Sequence, residues 1–188
     1  MKKLLPFLLL AFVAIFAACD KDDDGAENAQ LLSYDGSNAN APDLPAGNYI
    51  FGVRFPPNET EAFQDSLLTE VRFYVKSPPN SLRVRVYGPG MNEAPGDILY
   101  QSNALTALVE SESWYTHTLT QPVTITGDEL WLAVSFSHNN NLRSIGCDSG
   151  PAVANGDFIF DESFNNWAKF SVETSESVNW NIRGRAGK

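Results

Sequence analysis

Cysteine and histidine are nearly missing from this chain, with two of each among 188 residues. Two cysteines cannot build a disulfide scaffold or a complete cysteine zinc site, and two histidines leave little for a histidine-rich metal centre. Positive charge is also in short supply. Thirteen Lys+Arg stand against 23 Asp+Glu, a formal charge of −10, and phosphate neutralisation needs the opposite sign, so no nucleic-acid partner is expected. The P-loop, the Rossmann glycine pattern, the metalloprotease His-Glu motif and zinc-ligand spacings are all missing, so no cofactor is expected either. What the chain does contain is 43% hydrophobic and 12% aromatic residues, enough for one globular domain with processing or linker sequence.

No hydrophobic run has the length of a comfortable membrane span. Residues 4–16 form thirteen uncharged residues behind the basic head Met1-Lys2-Lys3, short of the roughly 20 that a bilayer needs, and Pro6 weakens the run further. The pattern is that of a secretory leader. It closes on Phe16-Ala17-Ala18-Cys19, which resembles a bacterial lipobox. That resemblance implies a signal peptide over residues 1–18 and a lipidated Cys19 as the new N-terminus; plain cleavage after small residues, with Cys19 a bystander, is the alternative. Loss of Lys2 and Lys3 with the leader takes the formal charge from −10 to −12. Membrane attachment would then rest on acyl chains, at about 0.8 kcal/mol per buried methylene, and not on attraction to anionic lipid.

Residues 19–46 are rich in Asn, Ala, Asp, Ser, Gly and Pro and carry no sustained apolar period, which predicts a flexible acidic tether. Asp20, Asp22, Asp24 and Gly25 match the first positions of an EF-hand loop, but Leu31 stands where the bidentate glutamate belongs. The run Asp20-Lys21-Asp22-Asp23-Asp24 behind the cysteine resembles the surface-export signal of lipoproteins from the Bacteroidota. In an enterobacterial host, Asp after the cysteine would instead resemble an inner-membrane retention signal. The first reading implies an outer-membrane protein, lipid-anchored and exposed at the cell surface.

Beyond Asn48 the pattern alternates with period two: Tyr49, Phe51, Val53 and Phe55, then Val71, Phe73 and Val75, then Leu82, Val84 and Val86, with Arg54, Arg72, Arg83 and Arg85 on the opposite parity. Further short β-prone runs cover residues 98–101, 114–120, 123–125, 130–136, 158–160, 167–172 and 180–183. Pro-, Gly- and Asn-containing turns such as Pro78-Pro79-Asn80 and Gly88-Pro89-Gly90 separate them. One helical turn is expected within residues 59–68. The run 130–136 is apolar on both parities, which predicts a central strand covered on both faces. The fold class is therefore all-β, a two-sheet antiparallel sandwich of jelly-roll-like character over residues 47–188.

Four motifs in order, Leu68-Thr69-Glu70-Val71-Arg72-Phe73-Tyr74-Val75, Pro122 through Trp131, Gly146-Cys147-Asp148-Ser149-Gly150-Pro151-Ala152 and Asn179-Trp180-Asn181-Ile182-Arg183, resemble a β-sandwich module recurring in secreted and cell-surface proteins of the Bacteroidota. The resemblance spans about residues 47–185 and implies an accessory domain of unassigned activity, borne elsewhere by peptidases and adhesin-like proteins. His117 and the polar stretch 138–141 depart from it.

Catalytic constellations are thin. His117 shares parity with Tyr115 and Leu119 and reads as a packed histidine. Cys147 has Asp148 beside it, which opposes thiolate formation, and reads as a small buried hydrophobe. Carboxylate pairs abound without one being singled out. Binding is the better expectation, since loops on a rigid sandwich concentrate recognition residues. The candidate ligand loop is His138, Asn139, Asn140, Asn141 and Arg143, with Asp148 and Trp167 added, whose amide, acid, guanidinium and aromatic groups suit sugar hydroxyls. A second candidate is the outer-face stripe of Arg54, Arg72, Arg83 and Arg85 with Tyr74 and Tyr87, suited to carboxylated or sulfated polymers unless glutamates neutralise it. These features lead to a non-catalytic surface lipoprotein binding a glycan or an envelope partner protein. The alternative is a structural or assembly component of an envelope complex, with a hydrolase behind both.

Overall fold

The period-two runs become strands wherever one parity can be buried. The computed structural model describes residues 30–163 and 165–187. The leader, Cys19 and the acidic run Asp20 to Asp24 lie outside them.

Ten strands form two antiparallel sheets. The smaller sheet orders β1 (Gln30–Leu32), β10 (Ile182–Gly187), β3 (Leu67–Val75) and β6 (Ser113–Thr124). The larger orders β5 (Ile98–Gln101), β4 (Ser81–Tyr87), β7 (Leu130–His138), β2 (Gly47–Phe55), β8 (Phe158–Asp161) and β9 (Asn166–Lys169). The chain crosses between the sheets from β1 to β2, β2 to β3, β3 to β4, β5 to β6, β6 to β7 and β9 to β10, the repeated passage that gives the sandwich its jelly-roll-like character. Between the sheets the predicted inward parities meet: Phe51, Val53, Val71, Phe73, Val75, Leu82, Val84 and Val86 have no exposed surface. At about 1.5–3 kcal/mol for each large apolar side chain buried, this layer is the main source of stability. Trp180 stacks on Phe51 with ring centroids 3.7 Å apart at its centre.

Strand β7 is buried on both parities, as its composition implies. Leu132, Val134 and Phe136 face the main core. On the other side, Trp131 and Ala133 join Tyr87 and Phe158 in a second, smaller apolar cluster on the outside of the six-stranded sheet, with Ile50 and Trp167 packed against it.

Two local expectations need correction, and a third holds with shifted bounds. The expected pieces 114–120 and 123–125 are one strand, β6, irregular between the pairs Glu70↔Thr118 and Leu68↔Val123. Pro122 falls in that irregular stretch, where its missing N–H costs no ladder bond. The run 167–172 is split: β9 ends at Lys169 and Phe170–Thr174 form the short helix α2, closed by Ser175 in the left-handed region at φ 66°. The helical turn within 59–68 occurs as α1 (Pro57–Thr60) and a 3-10 turn (Glu61–Phe63), and Asp65 at φ 64° hands the chain to β3.

The larger correction concerns the tether. Residues 30–46 are not a spacer but part of the sandwich. β1 pairs with β10 through Leu31↔Arg185 and Leu32↔Gly184, Leu32 and Ala41 are buried, and Tyr34 stacks on Phe55 at 4.8 Å. The Tyr34 hydroxyl lies between two acceptors, the Arg54 carbonyl at 2.7 Å and the Glu59 carboxylate, which share its single proton. Asp35, its side chain wholly buried, receives Arg183 at 3.0 Å. Asn40 and Leu44 make isolated bridges to Cys147 and Leu142. The domain therefore includes residues 30–46 as well as 47–187.

Candidate ligand-binding site

Register places the candidate residues. Across the outer face of the six-stranded sheet, one row runs Ser81, Ser137, Asn48; the next Arg83, Ser135, Ile50, Phe160, Trp167; the next Gln101, Arg85, Ala133, Gly52, Phe158, Lys169; the last Tyr87, Trp131, Arg54. Small residues lie in the middle of the central rows, at Ser135, Ala133 and Gly52, while long cationic chains stand on β4 and aromatic rings on β8 and β9. The result is a trough of about 330 Å³ whose lining includes Asn48, Ile50, Ser81, Arg83, Arg85, Ser135, Phe160 and Glu162, within the ~300–1,000 Å³ typical of small-molecule sites.

Gly52 favours this arrangement. A Cβ there would meet the Trp167 ring at 3.0 Å, tighter than an ordinary contact, so a larger residue would have to displace the indole by a few tenths of an ångström. Trp167 is held in place by Trp131 at 5.6 Å, Phe160 at 5.7 Å and Tyr87 at 6.3 Å between centroids.

The arginines divide. Arg54 is bound to Glu129, its Nε donating at 2.6 Å, and the same glutamate accepts the Trp131 indole N–H at 2.7 Å. Arg72 lies on the other sheet, with its guanidinium 5.0 Å from the Trp114 ring, so the expected four-arginine stripe is two separate features on opposite outer faces. Arg83 and Arg85 alone reach the trough. Arg83 donates to the Ser102 carbonyl at 2.9 Å; Arg85 donates to Gln101 Oε1 at 2.9 Å and the Tyr87 hydroxyl at 3.2 Å. Among the described residues neither forms an ion pair with a carboxylate. Across the trough Glu162 accepts from the Asn48 amide.

The expected ligand loop does not converge. His138 is 2% exposed, its ring flanked by Tyr49 and Phe136. Burial holds its pKa below the ordinary value, although the backbone of Asn140 and Pro45 and the Asp43 charge pull the other way. Neither ring nitrogen has a hydrogen bond of good geometry, despite those nearby backbone groups. Asn139, Asn140, Asn141 and Arg143 are exposed, Asn139 donating its N–H to Asn80 and Arg143 its guanidinium to Asn40 at 3.2 Å. Asp148 is consumed internally. It accepts from the N–H groups of Gly36, Gly150 and Asn179 and from the Asn179 amide, at 2.8–3.1 Å. Burial alone would raise its pKa, but together these bonds hold it below the ordinary value. Trp167 sits three strands across the sheet from β7, which leads into the loop.

His117 meets the Tyr100 hydroxyl at 2.7 Å, its pKa lowered by burial, in keeping with a packed histidine. Burial, then Asp148 and Glu176, push the buried Cys147 thiol up to about 11. Among the described residues no cluster of three or more His, Cys, Asp or Glu side chains is placed to hold a metal ion, and no helix is long and apolar enough to cross a membrane.

Comparison with known proteins adds a fold likeness. No family model matches the chain, and no curated protein does. Among solved structures, the chain is similar to that of the cysteine protease and lectin-like domains of Cwp84, a surface layer associated protein of Clostridium difficile. The TM-score is 0.57 at 12% identity, over 87% of this chain and 37% of that one. The chain thus spans well under half the length of that structure, and at this identity the likeness is one of fold.

Proposed function

We propose that the chain is a non-catalytic, lipid-anchored surface protein whose sandwich binds a glycan through the outer face of its six-stranded sheet. The observation that carries the reading is the trough floored by Ser135 and walled by Arg83 and Arg85 on one side and Phe160 on the other. Hydroxyl, amide and guanidinium groups give a sugar directional hydrogen bonds, and aromatic rings accept its apolar face. The lectin-like domain in the structural neighbour supports the same class of ligand. The Bacteroidota resemblances and the leader support attachment through Cys19 and display by Asp20 to Asp24 at the outer membrane.

The test uses the chain from Asp20 onward, which retains every core residue among those described, from Leu32 to Ala186. Immobilised polysaccharides should capture it, and Ser135→Trp, which fills the trough without altering charge, should abolish capture while leaving the melting temperature within a few degrees. Stable co-purification with one envelope protein and no glycan capture would transfer the sandwich to an assembly role. Attachment is tested separately: Cys19→Ala should give unprocessed or weakly attached protein in the native host, and normal maturation into membranes would refute the anchor.

A further inference from the structure

We infer that the trough selects an anionic saccharide, its carboxylate or sulfate held between Arg83 and Arg85; this rests on the glycan reading above. The inference starts from a charge anomaly. In a chain of formal charge −10, acids are in excess, and the other cations of this face have found them: Arg54 pairs with Glu129 and Lys169 with Glu93. Arg83 and Arg85 have not. Their acceptors are a backbone carbonyl, a glutamine oxygen and a tyrosine hydroxyl. Such neutral acceptors orient a guanidinium without cancelling its charge, and each of the two retains unused N–H donors in a planar fork suited to carboxylate or sulfate.

Placement fits the same purpose. The two residues stand at i and i+2 on β4, so both chains project from one face. Ser135 and Ala133, their partners on β7, are too short to screen them. Glu162 lies across the trough, bound to Asn48, where its carboxylate can accept sugar hydroxyls while repelling an acidic group from that wall. An acidic saccharide thus has one favoured orientation, with its anion toward β4 and its ring toward Phe160.

The experiment measures binding of the chain from Asp20 to polygalacturonate, to the same polymer with its carboxyl groups reduced, to chondroitin sulfate, to neutral glycans and to polyglutamate. Binding to an acidic polysaccharide is expected, with no binding to the carboxyl-reduced polymer if polygalacturonate is the one bound. Arg83→Gln and Arg85→Gln should each weaken it by about tenfold or more, the loss of a charge-assisted hydrogen bond, with an unchanged melting temperature. Preference between polygalacturonate and chondroitin sulfate, with the latter tested before and after desulfation because it also carries carboxylates, identifies the anion, and either supports the inference. Capture of neutral glycans that Ser135→Trp abolishes and the arginine variants leave intact would overturn the anion while the glycan reading stands. Equal binding of polyglutamate would overturn the saccharide, and capture of none of the polysaccharides would defeat both readings.

Discussion

Replacing Asp148 by Ala separates a structural carboxylate from a ligand group. Four donors converge on this side chain: the N–H of Gly36 at 3.1 Å, of Gly150 at 2.8 Å and of Asn179 at 2.8 Å, and the Asn179 Nδ2 at 2.9 Å. Both Asn179 donors are in buried bonds, whereas water can reach Gly36 and Gly150. A buried donor left without a partner costs about 1–3 kcal/mol, so the truncation should destabilise the domain by about 3–5 kcal/mol, a fall in melting temperature of about 10 °C. Urea denaturation followed by tryptophan fluorescence reads this directly, because Trp180 is buried and stacked on Phe51. Asp148→Asn supplies the control: its amide keeps the volume but turns a donor toward donors, and should cost nearly as much at neutral pH. The sign with pH follows from the lowered native pKa. The stabilisation is complete above the unfolded value, about 3.9, and is lost as pH falls through the native one, so wild type and Asp148→Asn should converge in acid. A loss below about 1 kcal/mol for Asp148→Ala would refute the internal role and return the residue to the ligand loop.

Trimming the chain to residue 47 should cost at least about 3 kcal/mol relative to the chain from Asp20, since it removes buried Leu32, the Tyr34 stack on Phe55 and the Asp35–Arg183 pair; an unchanged urea midpoint would restore the tether reading. Burial lowers the pKa of His117 and His138, so stability should be complete above about pH 6.5, the unfolded value, and decline below it as each ring is forced to charge. His138→Phe should flatten that decline, measured as melting temperature against pH. With its pKa pushed up to about 11, Cys147 should resist a thiol reagent at pH 8 in the native chain from Asp20 and react with one equivalent after unfolding; rapid native reaction would contradict its burial.

Strand phase was legible in the sequence because it is local. Leu82, Val84 and Val86 alternate against Ser81, Arg83 and Arg85, and the pleat turns that alternation into an inner and an outer face. Sheet membership was not legible, since it depends on pairings between distant residues. Arg72 and Arg83 share the outward parity of their strands, yet β3 and β4 belong to different sheets, and the apparent stripe dissolved. The segment 30–46 escaped for another reason: it is held by single residues, Leu32, Tyr34, Asp35 and Ala41, in polar surroundings with no period to detect. The trough itself required register, because Ser135 matters only when Arg83 and Ile50 are known to flank it. The apolar outward parity of β7 was the signal that could have found this face, since Trp131 and Ala133 needed a cover that proved to include Trp167.

Strand β1 also determines how the domain meets mechanical load. If the chain is held by its N-terminal end and by a ligand in the trough, as proposed, tension enters on the four-stranded sheet and leaves by the outer face of the six-stranded one, so the force must travel through the thickness of the sandwich. Among the described residues the first element in that path is three ladder pairs long, backed by the Asp35–Arg183 pair and the Tyr34 stack. Peeling β1 would release residues 30–32 from β10 and leave the trough's rows intact. On that reading β1 is the described element nearest the load, and it lies on the sheet that does not hold the ligand.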